Sequence, residues 1–132
     1  MRIRNGVDLC EINRMLKHLE GSETFLDKCF TSDEREYVDR TDNTYKRASG
    51  YAARFAAKEA ATKALGTGIC TAGIGFKDIE VCKDDLGAPY IKLYGEAAQR
   101  ASDIKMASIA LSLTHEKDYA VAMVTILTNE EN

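Results

Sequence analysis

Apolar and polar positions alternate from the start of the chain. Ile3, Val7 and Leu9 fall on one side of a period of two, with Gly6, Asp8 and Cys10 on the other. That pattern predicts a first strand, with Asp8 turned away from the Val7/Leu9 face. A helical spacing follows, with Ile12, Met15, Leu16 and Leu19 apolar and Arg14, Lys17 and His18 between them. Gly21-Ser22 breaks it, and Ser22 offers a cap for a second short helix through Phe25 and Leu26. Thr31-Ser32-Asp33-Glu34 has the capping-box form and predicts a third. The longest helical stretch runs from about Tyr45 to Leu65. Alanine, the strongest intrinsic helix former, dominates its second half, and small side chains let other backbones come close. Gly66 supplies a stop, and the loop after it stays glycine-rich to Gly75.

The remainder reads as strands around one more helix. Ile79 and Val81 alternate with Glu80 and Cys82, Asp84-Asp85-Leu86-Gly87 makes a turn, and Ile91 and Leu93 mark the returning strand. Gly95 to Ser102 reads as a short helix, and Ala107, Ile109, Leu111 and Leu113 alternate with polar or small residues. Beyond a polar tip at Thr114 to Asp118, the segment Tyr119 to Leu127 is apolar almost throughout, which predicts a strand covered on both faces. Helices lead and strands close the chain. The expected class is α+β, a single domain over residues 1–127 with the long central helix on a largely antiparallel sheet, and a polar tail over 128–132.

Composition adds exclusions. A chain of 132 residues, 45% hydrophobic and 30% charged, has room for one core and is too apolar to be disordered. Its 18 basic residues against 21 acidic ones give a net charge of -3, which argues against a generic nucleic-acid partner. No apolar run reaches the roughly 18 residues of a membrane helix, and the first residues lack a signal-peptide apolar region, so a cytoplasmic protein without a membrane partner is expected. The four cysteines, Cys10, Cys29, Cys70 and Cys82, contain no C-x-x-C pair, and only His18 and His115 could complete a zinc site. Separate buried or half-buried thiols are the expectation.

Several residues carry chemistry. Asp8 is either a metal ligand or an ordinary strand-end aspartate. Glu59 and Lys63 share a helix face at i,i+4, either as a solvated ion pair or as part of a site. A carboxylate among so many alanines needs a second element close by. Paired with a second carboxylate it suits Mg²⁺, which takes one or two protein carboxylates plus substrate phosphates, and Lys63 would meet the same phosphates. Arg47, Arg54 and Lys58 occupy a narrow sector roughly opposite Lys63, so the sector is either solvated or serves a different copy of the site. The Gly66-Thr67-Gly68 turn could present amides to a phosphate or could simply end the helix. His115, after Ser112 and Thr114, is either an exposed tip residue or part of a phosphate-binding turn.

The order of these pieces resembles a known family. Gly6-Val7-Asp8-Leu9-Cys10-Glu11-Ile12-Asn13-Arg14 is similar to the N-terminal motif of holo-acyl-carrier-protein synthases. Arg54-Phe55-Ala56-Ala57-Lys58-Glu59-Ala60, followed by Lys63-Ala64-Leu65-Gly66-Thr67-Gly68, resembles their central signature. Asp78-Ile79-Glu80-Val81, Gly87-x-Pro89 and Ser112-Leu113-Thr114-His115 with Tyr119-Ala120 follow in order, so the resemblance spans about Ile3 to Val124. It implies a small-type 4′-phosphopantetheinyl transferase, which moves the phosphopantetheine arm of coenzyme A to a serine of acyl carrier protein in fatty acid biosynthesis and releases adenosine 3′,5′-bisphosphate. It further implies a homotrimer with coenzyme A in clefts between protomers.

By the same resemblance Asp8 and Glu59 are the magnesium ligands. Lys63 lies at the pyrophosphate as a catalytic residue, and Glu59, directly or through a water on the metal, is the base. Lys46, Arg47, Arg54, Gly66, Ser112 and His115 join Lys63 in holding coenzyme A. Arg14 meets the acidic carrier, with Lys17 and Lys28 as further candidates. Where the family carries more basic residues along this helix, the chain has Glu20, Gly21 and Glu23. Two other classes stay open: another Mg²⁺-dependent enzyme acting on nucleotide diphosphates, and a non-catalytic module that binds coenzyme A or the carrier.

Overall fold

The protein was analysed as a computed structural model, which describes residues 1–131. The chain begins with strand β1 (Arg2–Glu11) and helices α1 (Ile12–Glu20), α2 (Thr24–Cys29) and α3 (Ser32–Val38). The long helix α4 (Thr44–Leu65) follows, then a short 3-10 turn (Phe76–Asp78) and the hairpin β2 (Ile79–Lys83) and β3 (Pro89–Leu93). Helix α5 (Gly95–Asp103) leads to β4 (Met106–His115) and β5 (Tyr119–Thr128). The expected α+β class and the order of elements hold.

Local chemistry accounts for the helix ends. Thr31 and Glu34 form the anticipated capping box at α3. Asn43 caps α4 by accepting from the Lys46 backbone N–H, and Gly66 ends that helix at φ 80°, a left-handed conformation that glycine adopts without a Cβ penalty. At α2 the cap position is Glu23, and Ser22 instead accepts from the Thr24 backbone N–H. Strand β5 runs through Thr128, which is buried, and Arg4 Nε donates to Glu130 Oε1 at 2.6 Å. Asn132, the last residue of the expected tail, lies outside the described residues.

Two antiparallel sheets result, a three-stranded one ordered β1-β5-β4 and the β2-β3 hairpin. In the larger sheet Asp8 sits opposite Ala122, and Val7 opposite Met123. Gly6, Cys10, Ala120, Ala122, Val124 and Ile126 are buried, on the side that carries α4. The helix meets them with Ala52, Ala56, Ala57, Ala60, Ala61 and Ala64, all buried. Small residues on both elements permit close approach. A Cβ on Gly6 would collide with the Ala60 carbonyl and stand 2.9 Å from the Ala64 nitrogen.

The other face of this sheet corrects one expectation. Ile3, Val7, Leu9 and Met123 are 68%, 56%, 56% and 51% exposed. The single chain therefore covers β5 on one face only. The apolar side of the β1 alternation is the outer side, because α4 takes the side with the smaller residues.

Candidate functional site

The seam between β1 and α4 brings the acids together. Asp8 projects from the α4 side of β1, and the Gly6 approach sets the distance to the helix at Glu59. Burial, then the neighbouring Asp8 carboxyl, pushes the Glu59 carboxyl above its ordinary value. Lys63 Nζ donates to Asp8 Oδ1 at 3.2 Å and to the Val7 carbonyl at 3.0 Å. The lysine one turn beyond Glu59 thus pairs with Asp8 across the seam rather than within its own helix. It stays half-exposed, free to turn toward an anion.

This donor set fits a hard divalent cation. Two facing carboxylates repel when both are charged, and a cation between them relieves that cost. No cluster of three or more metal-ligating side chains occurs among the described residues. Mg²⁺ is satisfied with fewer, since it fills its remaining positions with water and substrate phosphate oxygens.

A groove that holds both basic and acidic side chains, Asp33, Glu36 and Asp84 among the latter, lies around the helix from this seam. Arg54 is only 4% exposed. Its Nη1 donates to the Gly50 carbonyl at 3.2 Å, and its Nε has no partner among the described residues. The guanidinium lies 4.9 Å from the centre of the Tyr37 ring, and that of Arg40 lies 5.2 Å from the same centre. A cavity of about 380 Å³ is lined by Tyr37, Arg40, Arg54 and Lys83 among others. An adjoining one of about 330 Å³ adds Lys46. A third, of about 200 Å³, joins Arg54 and Lys83 to His115. Tyr45 Oη, donating to the Lys117 carbonyl at 3.0 Å, ties the start of α4 to the tip that carries His115.

The remaining candidates separate. Arg47 turns away from the groove and donates through Nε to the Thr41 carbonyl at 2.7 Å. Ser112 pairs with Met123 and so belongs to the outer sheet face. Gly66 lies at the far end of α4, next to Arg4 and Arg100. Arg14, Lys17 and Lys28 are exposed, and Arg14 lies over the Phe55 ring at 5.1 Å from its centre. Lys58 departs most from a solvated sector: it is fully buried and ion-paired with Glu34 at 2.8 Å. Tyr37, Arg40 and Lys83 were not singled out from sequence. They come from α3, the turn after it and β2, and no periodicity links them to Arg54.

Comparison with known proteins decides the family. The model of the 4′-phosphopantetheinyl transferase superfamily matches residues 4–124. The chain belongs to that superfamily. It is 42% identical over 128 residues to a holo-[acyl-carrier-protein] synthase of Ruminiclostridium cellulolyticum, covering 96% of this chain and 92% of that relative. It is 46% identical over 122 residues to a holo-[acyl-carrier-protein] synthase of Treponema denticola, covering 92% and 94%. A crystal structure of the Bacillus anthracis holo-(acyl-carrier-protein) synthase in complex with CoA (3′,5′-ADP) superimposes with a TM-score of 0.78 at 33% identity, covering 96% of each chain. A Plasmodium yoelii acyl carrier protein synthase with ADP bound gives 0.84 at 29% identity, covering 98% of this chain and 100% of that one. The fold is that of the 4′-phosphopantetheinyl transferases.

Proposed function

We propose that this chain is a holo-acyl-carrier-protein synthase. It transfers the 4′-phosphopantetheine group of coenzyme A to a serine hydroxyl of apo-acyl carrier protein, in the cytoplasm and in the service of fatty acid biosynthesis. The observation that carries this reading is the meeting of Asp8, Glu59 and Lys63 at the β1/α4 seam. Asp8 and Glu59 would hold Mg²⁺, which when bound neutralises and orients the diphosphate of coenzyme A. Glu59 takes the proton of the carrier serine. The serine oxygen forms a bond to the pantetheine-side phosphorus as the bond to the bridging oxygen breaks. Lys63 donates to the departing bisphosphate, leaving Asp8 as the charge builds.

Coenzyme A is assigned to the Arg54 groove, with Lys46 and His115, and with Tyr37, Arg40 and Lys83 added to the sequence-derived set. Arg54 and Lys63 are nine residues apart, so they point to opposite sides of α4 about 13.5 Å apart along its axis. One coenzyme reaches both kinds of group if clefts form between copies of the chain. The apolar outer face of the β1-β5-β4 sheet supports a homotrimer that buries Val7, Leu9 and Met123 and brings Ser112 to a protomer boundary. The exposed cations Arg14, Lys17 and Lys28 are assigned to the acidic carrier.

The test is transfer itself. Incubation with coenzyme A, apo-carrier and Mg²⁺ should add the phosphopantetheine mass to the carrier, and chelation should stop it. Asp8→Asn and Glu59→Gln, both near-isosteric, should each lower turnover at least about a hundredfold, the scale of lost acid–base catalysis, with circular dichroism unchanged. Mass addition without a magnesium requirement, or at normal rate in either variant, defeats the reading.

A further inference from the structure

Lys58 has no part in the chemistry above, yet every one of its polar bonds is made inside the protein. Its Nζ donates to Glu34 Oε1 at 2.8 Å, to the Phe76 carbonyl at 2.9 Å and to the Ile79 carbonyl. Glu34 is equally satisfied: Oε1 also accepts from the Thr31 backbone N–H at 2.9 Å, and Oε2 from that of Val81 at 3.0 Å. Burial pushes the lysine's pKa below its ordinary value, with Glu34 opposing. Such a pair gains little net stability over well-packed apolar side chains of the same volume. What it supplies that apolar side chains cannot is a fixed location for two backbone carbonyls.

One of those carbonyls belongs to a residue that faces the surface. Within its own turn the Phe76 carbonyl receives only the Ile79 backbone N–H. Lys58 adds a charged donor from α4. The Phe76 ring, half-buried, stacks on Phe55 with centres 5.3 Å apart and planes 24° apart. Phe55 meets Phe25 at 5.7 Å, and Phe25 stacks on His18 at 3.8 Å with planes 7° apart. Arg14 rests its guanidinium on Phe55. A continuous row thus leads from the buried ammonium, through Phe76 and Phe55, to Arg14 on the exposed side of α1.

We infer that Lys58, held by Glu34, is a positioning residue for carrier docking: it anchors Phe76, and the Phe76 ring keeps Phe55 and Arg14 in the arrangement that the carrier meets. The inference rests on the transferase reading and on Arg14 lying in the docking surface. Lys58 points away from Asp8. Glu34 also accepts from the Val81 backbone N–H, and α3 and β2 both line the Arg54 groove, so loss of the pair also reaches the coenzyme wall; the part specific to the carrier passes through Phe76 and Arg14.

The experiment measures KM for carrier and for coenzyme A in the wild type, Lys58→Met and Lys58→Met/Glu34→Gln. Lys58→Met alone leaves a buried glutamate unpaired and can fail to fold. The double variant removes both charges. It should raise the carrier KM about tenfold, the size expected for losing a hydrogen bond to a charged group, and several times more than it raises the coenzyme KM, with kcat nearly kept. Adding Arg14→Ala to the double variant should then change the carrier KM far less than it does in the wild type, since both act through one contact. A purely structural role would lower the active fraction, and hence kcat, and leave both KM values unmoved. If the double variant does not fold, Phe76→Ala takes its place and should raise the carrier KM alone, since Phe76 lines none of the cavities around Arg54. Unchanged KM values, or equal rises for both substrates, overturn the inference. A wild type that transfers nothing defeats the transferase reading instead.

Discussion

Glu59 holds its proton more tightly than an isolated glutamate because it is partly buried and faces Asp8. The native chain therefore keeps this proton at pH values where the unfolded chain has released it. Without metal, stability falls as pH rises from the ordinary value of 4.5 through the raised one. Glu59→Gln removes that cost. In chelator, its melting midpoint should match the wild type at about pH 4 and exceed it at about pH 8, and saturating Mg²⁺ should close the gap by stabilising only the wild type. A difference in midpoint that is constant with pH would contradict this origin. Glu59 and Lys63 stood out in the sequence as a candidate pair through their i,i+4 spacing, and Asp8 joined them chiefly through the family resemblance. Lys58 was not legible in that way. Helical arithmetic places it in the sector of Arg54, but its fate is decided by Glu34, 24 residues earlier on another helix, and by carbonyls beyond a loop. Arg47 fails in the same way, since the Thr41 carbonyl just before α4 draws it aside.

At the level of elements, the contact of β1 with α4 makes the site. Alanine on the helix and Gly6 on the strand remove the side chains that would hold the two backbones apart. Gly6→Ala inserts a methyl group where the Ala60 carbonyl already lies. Overpacking of this kind costs about 1–3 kcal/mol, and here the relief available is to lift β1 from the helix. The variant should melt lower and also lose transfer beyond what its folded fraction explains, because Asp8 retreats from Glu59. Urea unfolding combined with single-turnover rates checks both, and normal turnover in the folded fraction would show that the seam tolerates separation. The elements themselves were readable from period and caps. Which side of β1 faces inward was not. A period of two divides a strand into two faces, and Val7 and Leu9 look like the inner one until the helix is seen to need Gly6 and Cys10 beneath it.

For the whole molecule, the outer face of the β1-β5-β4 sheet is the feature that a lone chain leaves unresolved. Val7 and Met123 lie opposite each other at its middle. If copies of the chain cover it, Met123→Asp places an unpaired charge in that cover. Sedimentation should then show a single-chain mass in place of a three-chain one, with transfer lost and the helical circular dichroism kept. An unchanged mass would detach this face from assembly. The same sheet order also governs the order of events during synthesis. Among the described residues, strand β1 pairs only with β5, from Arg2 opposite Thr128 to Glu11 opposite Tyr119. Strand β1 must therefore wait, unpaired and showing Ile3, Val7 and Leu9, until β5, more than 100 residues later, has emerged. Translated at about 5–20 residues per second, that wait lasts roughly 5–20 seconds, during which Asp8 has no Glu59 beside it for the first part and the nascent chain offers an open strand edge to chaperones or to its neighbours on a polysome.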